Sequence, residues 1–237
     1  MVFRRLTLLA AIAVFLTGAL WAQENSLQFR FRYDLGERYR IVGTNYQEII
    51  VDGALSGRVQ ILTRIQSEVV DVYGDAGTIE ANYQISEQNS DPQAPFELAR
   101  EYETRYTRDA LGTVEVPGAL VMPQVRDVPT FPERELTVGE RWSAPAVEVH
   151  DLRPAYGIED TLRIPVEVQY RFLGIDRSGE TPVPMFSAYY EFDEQVQQYR
   201  GSSLQPVRMQ GFADQVIYWD VVRGRPKSYE ESYRFLL

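Results

Sequence analysis

The stretch Leu162-Arg163-Ile164-Pro165-Val166-Glu167-Val168-Gln169-Tyr170-Arg171-Phe172 decides the fold class. Its apolar residues recur at every second position, and polar or charged residues fill most of the gaps. Successive side chains of an extended strand point to opposite faces, so this period predicts a strand with one buried face. The same alternation runs through Leu27, Phe29, Phe31 and Tyr33, and through Ile79, Ala81, Tyr83 and Ile85. It returns in Tyr229, Glu231, Tyr233, Phe235 and Leu237, where only Glu231 is out of keeping. Enrichment in tyrosine, phenylalanine and valine favours the pleated state of these segments.

Working outward, turn chemistry separates the runs. Asp34-Leu35-Gly36, Asp52-Gly53, Gly74 to Gly77, Asp109 to Gly112, Asp176 to Gly179 and Arg223 to Pro226 suit tight connections between antiparallel strands. From Val59 to Val72 the alternation blurs, which predicts a long central strand carrying a bulge or covered on both faces. After the first 23 residues the best helical candidate is the short stretch Pro95 to Glu101, which competes with a strand running on to Thr107. Pro117, Pro123, Pro129 and Pro132 punctuate a segment with little strand pattern. Proline cannot donate to a sheet ladder, so this segment reads as a crossover. The expected architecture is mainly β: a curved antiparallel sheet, or two β-lobes of about residues 23–116 and 143–237, linked by the Pro-rich segment 117–142.

The N-terminus predicts export. Arg4 and Arg5 precede the apolar stretch Leu6 to Leu20, followed by Trp21, Ala22 and Gln23. A positive start, a short apolar middle and small residues at a cleavage point describe a signal peptide, read here as residues 1–22 with cleavage near Ala22. The expected location is the periplasm or cell envelope. There is no cysteine in the chain, which excludes disulfides, thiolate metal sites, cysteine nucleophiles and an acylated cysteine as lipid anchor. The formal charge of −10 argues against nucleic acid and anionic membrane surfaces, both of which need a basic footprint.

Candidate chemistry is thin. His150 is the sole histidine, beside Asp151 and two residues from Glu148. As a general base it needs an orienting carboxylate, but adjacent strand residues face opposite ways. Ser143 lacks the glycine-flanked elbow of a serine hydrolase. The pairs Glu101/Glu103, Glu159/Asp160, Glu191/Asp193 and Glu230/Glu231 read as solvated surface, because paired carboxylates act only when they converge across a cleft. No catalytic residue, metal ligand set or cofactor motif is identified, and the chain is expected to be non-enzymatic. The aromatics offer an apolar body with a polar tip, and Tyr102, Tyr106, Tyr189 and Phe192 are the candidate ligand-binding residues.

Four motifs carry a resemblance. Tyr33-Asp34-Leu35-Gly36-Glu37-Arg38-Tyr39 opens the first lobe, Val116-Pro117-Gly118 and Val128-Pro129-Thr130-Phe131-Pro132 lie at and in the crossover, and Leu136-Thr137-Val138-Gly139-Glu140-Arg141-Trp142-Ser143-Ala144-Pro145 closes it. Together they resemble secreted β-rich bacterial envelope proteins, some of which precede an OmpA-like peptidoglycan-binding domain; no stretch of this sequence resembles that domain. The resemblance implies a module that binds or positions other envelope components. Phe131 and Trp142 are expected to plug the core, and Gly139 to permit the turn before Trp142. Two alternatives stand beside it: a periplasmic carrier of a lipid or other apolar ligand in a concave sheet, and a small outer-membrane β-barrel.

Overall fold

The computed structural model describes residues 26–51, 54–88, 91, 93–118, 120–151, 161–195 and 208–236. The leader, Asp52-Gly53, Glu159-Asp160 and Leu237 lie outside the described residues. Among the described residues the chain is all strand and loop, with no helix. Pro95 to Glu101 leads into a strand instead of a helix.

One antiparallel sheet holds five strands in sequence order: β2 (Arg38–Val51), β3 (Ala54–Tyr73), β4 (Ala76–Gln88), β5 (Glu97–Arg108) and β6 (Val114–Glu115). The other holds β7 (Val125–Arg126), β9 (Arg141–His150), β10 (Leu162–Asp176), β11 (Val183–Gln195), β12 (Arg208–Asp220) and β13 (Arg225–Leu236), also in sequence order. A two-stranded pair joins β1 (Ser26–Leu27) to β8 (Leu136–Thr137). Strands adjacent in sequence pair directly, which is why hairpin turn residues recur between them. The blurred stretch Val59 to Val72 lies in β3, with its bulge between Val69 and Asp71. Half-burial on both faces from Gln60 to Ile65 accounts for the lost alternation.

Both sheets are strongly curled. In the second, the rings of His150 on β9 and Phe235 on β13 stack 4.9 Å apart. Four strand spacings separate those strands, about 19 Å in a flat sheet. Only a half-barrel curl brings them into contact.

The second sheet has the larger core. Ile164, Val166, Val168, Tyr170 and Phe172 of β10 are buried with Phe186, Ala188 and Tyr190 of β11 and Met209, Ala213, Ile217 and Trp219 of β12. Loop residues fill one end of the curl: Phe131 stacks on Phe29 at 5.3 Å and meets Trp219 edge-on at 4.9 Å. Trp142 lies flat on Tyr170 at 5.0 Å and donates its indole N–H to the Thr130 carbonyl at 2.8 Å. Gly139, at φ +88°, donates its N–H to the Phe172 carbonyl at 2.7 Å. That backbone region suits a residue without Cβ.

One expectation changes. The alternation from Leu27 to Tyr33 predicts a strand, yet only Ser26–Leu27 pairs in a ladder. Phe29 and Phe31 are buried at 1% and 3% exposure while the segment runs as an extended peg. Isolated backbone bonds hold it, from Phe31 N–H to the Ala110 carbonyl and from Arg32 N–H to the Gly224 carbonyl. The peg precedes the first sheet in sequence but packs into the core of the second.

Candidate functional site

Strand registers identify the inner face of each sheet. On the first sheet, Tyr39, Ile41, Gly43, Asn45 and Gln47 of β2 are partnered by Ser67, Ile65, Thr63, Ile61 and Val59 of β3. The same face continues through Ala81, Tyr83, Ile85 and Glu87 of β4 to Thr104, Tyr102 and Arg100 of β5. On the second sheet, Tyr229, Glu231, Tyr233 and Phe235 of β13 share the core face with Ile217, Gln215, Ala213 and Gly211 of β12.

These two faces oppose one another. The Tyr233 hydroxyl accepts from Asn45 Nδ2 at 3.0 Å and also from Gln47. The Tyr229 hydroxyl stands 3.6 Å from where a Cβ on Gly43 would lie. Arg225 pairs with Glu37 at 2.8 Å and covers the Tyr39 ring at 4.8 Å. At another point the Tyr102 hydroxyl donates to Asp151 at 3.2 Å. The contacts are polar tips, and each sheet keeps its own apolar cluster.

The residues between them are incompletely covered. Ile41, Ile61, Ile65 and Ile85 face inward but are only half-buried. Opposite them, Tyr229 and Tyr233 are 48% and 39% exposed. Apolar side chains turned into the molecule yet left partly wet make the space between the two faces a candidate cleft among the described residues. Its walls combine a patch of isoleucines with phenols.

Charge is divided along the cleft. Glu148 and His150, on β9, are both buried, with Nε2 and Oε1 3.0 Å apart. Tyr190 bonds Glu148, and burial followed by that carboxylate raises its pKa well above the ordinary phenol value. Glu231 accepts from Gln215 at 2.7 Å. Burial first, and Glu148 as a like charge, push its carboxyl above the usual range. Elsewhere, Arg108 donates Nε–H to the Tyr33 hydroxyl at 2.8 Å and covers the Phe31 ring at 3.8 Å. Burial raises Tyr33 to about 12, against the lowering effect of Arg108. Tyr83 and Tyr106 are raised by burial too, so these phenols stay protonated donors near neutrality.

The residues singled out by sequence distribute unevenly. Tyr102 and Tyr106 are inner-face residues of β5, the first half-buried and the second packed in the core of the first sheet. Phe192 faces inward on β11 and packs with Phe235 at 6.0 Å. Tyr189 lies on the opposite face, 38% exposed, with its hydroxyl bonded to Glu191 at 2.9 Å. Adjacent strand positions point oppositely, so Tyr189 lies away from the side occupied by Tyr190 and Phe192. Asp151 bonds Tyr102 and does not orient His150. Glu101 accepts from Asn82 and Gln84 on the outer face, as a solvated carboxylate does. Among the described residues no group of three or more acidic or histidine ligands converges.

Sequence reading missed Arg108 and the isoleucine patch. Arg108 does follow Tyr102, Thr104 and Tyr106 in one alternating frame, and a charge at the end of an inward frame is a signal. A shallow depression of about 290 Å³ lies by Val59, Glu87, Pro95 and Leu98. The Arg100–Glu87 ion pair, 2.7 Å apart, lies beside it. Compared with family models, curated proteins and solved structures, the chain matches none.

Proposed function

We propose that this protein is an exported, non-enzymatic carrier of the cell envelope that holds an apolar ligand between its two curled sheets. The observation that carries the reading is the inward-facing, half-buried set Ile41, Ile61, Ile65 and Ile85 opposite the exposed phenols of Tyr229 and Tyr233. Leaving four isoleucines partly hydrated forfeits on the order of 1 kcal/mol each in burial. An apolar ligand recovers that loss. Concave, mostly apolar sites with a few placed polar groups are the usual form of small-molecule sites. Charged outer faces favour a carrier over a membrane barrel: Arg163, Glu167 and Arg171 line the outer face of β10, where a barrel needs an uncharged band.

Native mass spectrometry of the protein recovered from its own envelope tests the reading. A bound apolar small molecule is expected, with occupancy falling at least fivefold in Ile61→Asp/Ile85→Asp at unchanged β-sheet circular dichroism. Ligand-free protein that also fails to bind an apolar fluorescent probe overturns it.

A second reading, a surface that positions envelope proteins, draws on Val42 and Tyr46. They stand 58% and 77% exposed on the outer face of the edge strand β2. Crosslinking in the envelope tests it: Val42→Asp/Tyr46→Asp should abolish any adduct, and adducts that persist count against it.

A further inference from the structure

Several arginines of this acidic chain pair with carboxylates at its surface, and Arg108 is not among them. Arg38, Arg58, Arg105 and Arg223, all well exposed, pair with Glu68, Glu48, Glu80 and Asp220 at 2.9–3.3 Å. Water would satisfy those charges without any partner. Arg126, which is buried, donates to the carbonyls of Leu120 and Pro123. Arg108 is half-buried between the sheets and pairs with no carboxylate among the described residues. Its neighbours are the Phe31 ring and the phenols of Tyr33, Tyr39, Tyr83 and Tyr106. Only Nε is hydrogen-bonded. The two Nη nitrogens are not among the sealed-off polar atoms, which are His150 Nε2, Trp219 Nε1 and Arg225 Nη1. The free edge of the guanidinium is therefore not wholly closed off from solvent, although burial desolvates the group.

A guanidinium is always charged and presents parallel N–H donors that match a carboxylate or phosphate. Removing such a charge from bulk water without an anion is costly, and a stacked ring offsets only part of that. The chain has 34 acidic residues, yet none of the described ones forms an ion pair with Arg108; its neighbour Asp109 instead accepts from the backbone N–H groups of Leu111, Gly112 and Thr113. Phenols extend from the guanidinium toward the cleft, since Tyr83 lies in electrostatic range of both Arg108 and Tyr229. The other charged region, Glu148 with Glu231, repels an anion and so orients it toward Arg108.

The structure assigns Arg108, on this basis, as the counter-charge for an anionic head group, a carboxylate or phosphate, on the ligand held between the sheets. The assignment rests on the carrier reading for the apolar part of that ligand. Titration calorimetry on the lipid-stripped full chain, with dodecanoate, dodecanol and inorganic phosphate as probes, tests both parts. Dodecanoate is expected to bind one to one and at least tenfold tighter than dodecanol. Arg108→Gln should bring dodecanoate to the affinity of dodecanol and leave dodecanol unchanged. Equal affinities in the wild type, or a preference that survives Arg108→Gln, overturn the head-group assignment and leave the carrier reading standing. Phosphate bound alone, lost in Arg108→Gln and with neither amphiphile bound, keeps the anion site and overturns the apolar ligand. No binding of any probe overturns both. A measurement without substitution covers a variant that fails to fold: the ¹³C-carboxyl resonance of bound dodecanoate should titrate below its free value beside a guanidinium. Titration above the free value, as in a purely apolar cleft, overturns the assignment.

Discussion

The two sheets share a construction and differ in what fills them. Both are antiparallel, sequentially wound and strongly curled. The second encloses Phe29, Phe31 and Phe131, three rings from outside its own strands, and the inner face of its strand β10 is buried from Ile164 to Phe172. Among the described residues the first has a smaller cluster of Ile79, Ala81, Tyr83, Tyr106 and Met122, and leaves Ile41, Ile61, Ile65 and Ile85 half-covered. Curl by itself makes a hollow, and a sequence must then spend aromatic side chains to fill it. Among the described residues the N-terminal peg and crossover fill one hollow, and the other stays partly open. The filled sheet is the scaffold; the open one borders the proposed cleft.

The largest effect should come from emptying the filled sheet. Phe131→Ala removes a ring in contact with Phe29, Phe186 and Trp219, and should cost about 3–5 kcal/mol in urea unfolding. A loss below about 1 kcal/mol would mean the plug is loosely held and the contrast between sheets is wrong. A matched pair sharpens it further. Ile164→Ala, at a fully buried position, should cost about 2–5 kcal/mol, and Ile65→Ala, half-buried in the first sheet, under about 2 kcal/mol. Equal losses would show the first sheet to be packed as tightly as the second.

The peg can be loosened from outside. Gly224, at φ +58°, would place an added Cβ 2.6 Å from Arg32 N and 2.7 Å from Arg30 O. Gly224→Ala should therefore cost about 1–3 kcal/mol from backbone strain and raise hydrogen exchange at Phe31 and Arg32. Unchanged exchange there would separate the peg from the β12–β13 turn.

The smallest effect concerns Glu231. Its carboxyl sits above the usual range in the folded protein because of burial and then Glu148. The folded state thus binds its proton more readily than the unfolded chain, so this group's contribution declines as pH rises through that window. Glu231→Gln should stabilise the protein at neutral pH by less than about 1 kcal/mol, because the side chain is only partly withdrawn from solvent, which screens its charge. The gain should vanish below the ordinary glutamate range. A gain that instead grows on acidification would reverse the assigned shift.

Much of the fold was legible in advance. Alternation located β4, β10 and β13, turn residues located their connections, and the Pro-rich segment marked the crossover that separates the sheets. Phe131, Gly139 and Trp142 sit where their types suggest, under the crossover and at its closing turn. The cleft was legible in part. Tyr102, Tyr106 and Phe192 have inward frames. Tyr189 is one position out of frame with Phe192, so a regular strand could not aim both into one site. The stretch Leu27 to Tyr33 alternates for burial alone, since a period of two reports which side is covered and not whether a neighbour strand is present.

The sequence by itself determined strand type and facing, because side-chain alternation and turn conformation are properties of a few consecutive residues. Only the tertiary structure decided that His150 would stack on Phe235, that the N-terminal peg would fill the second sheet, and that Arg108 would lie among phenols with no ion pair among the described residues. Those outcomes depend on how far each sheet curls. Curl accumulates across many strands through long-range packing, and no local stretch of sequence encodes it.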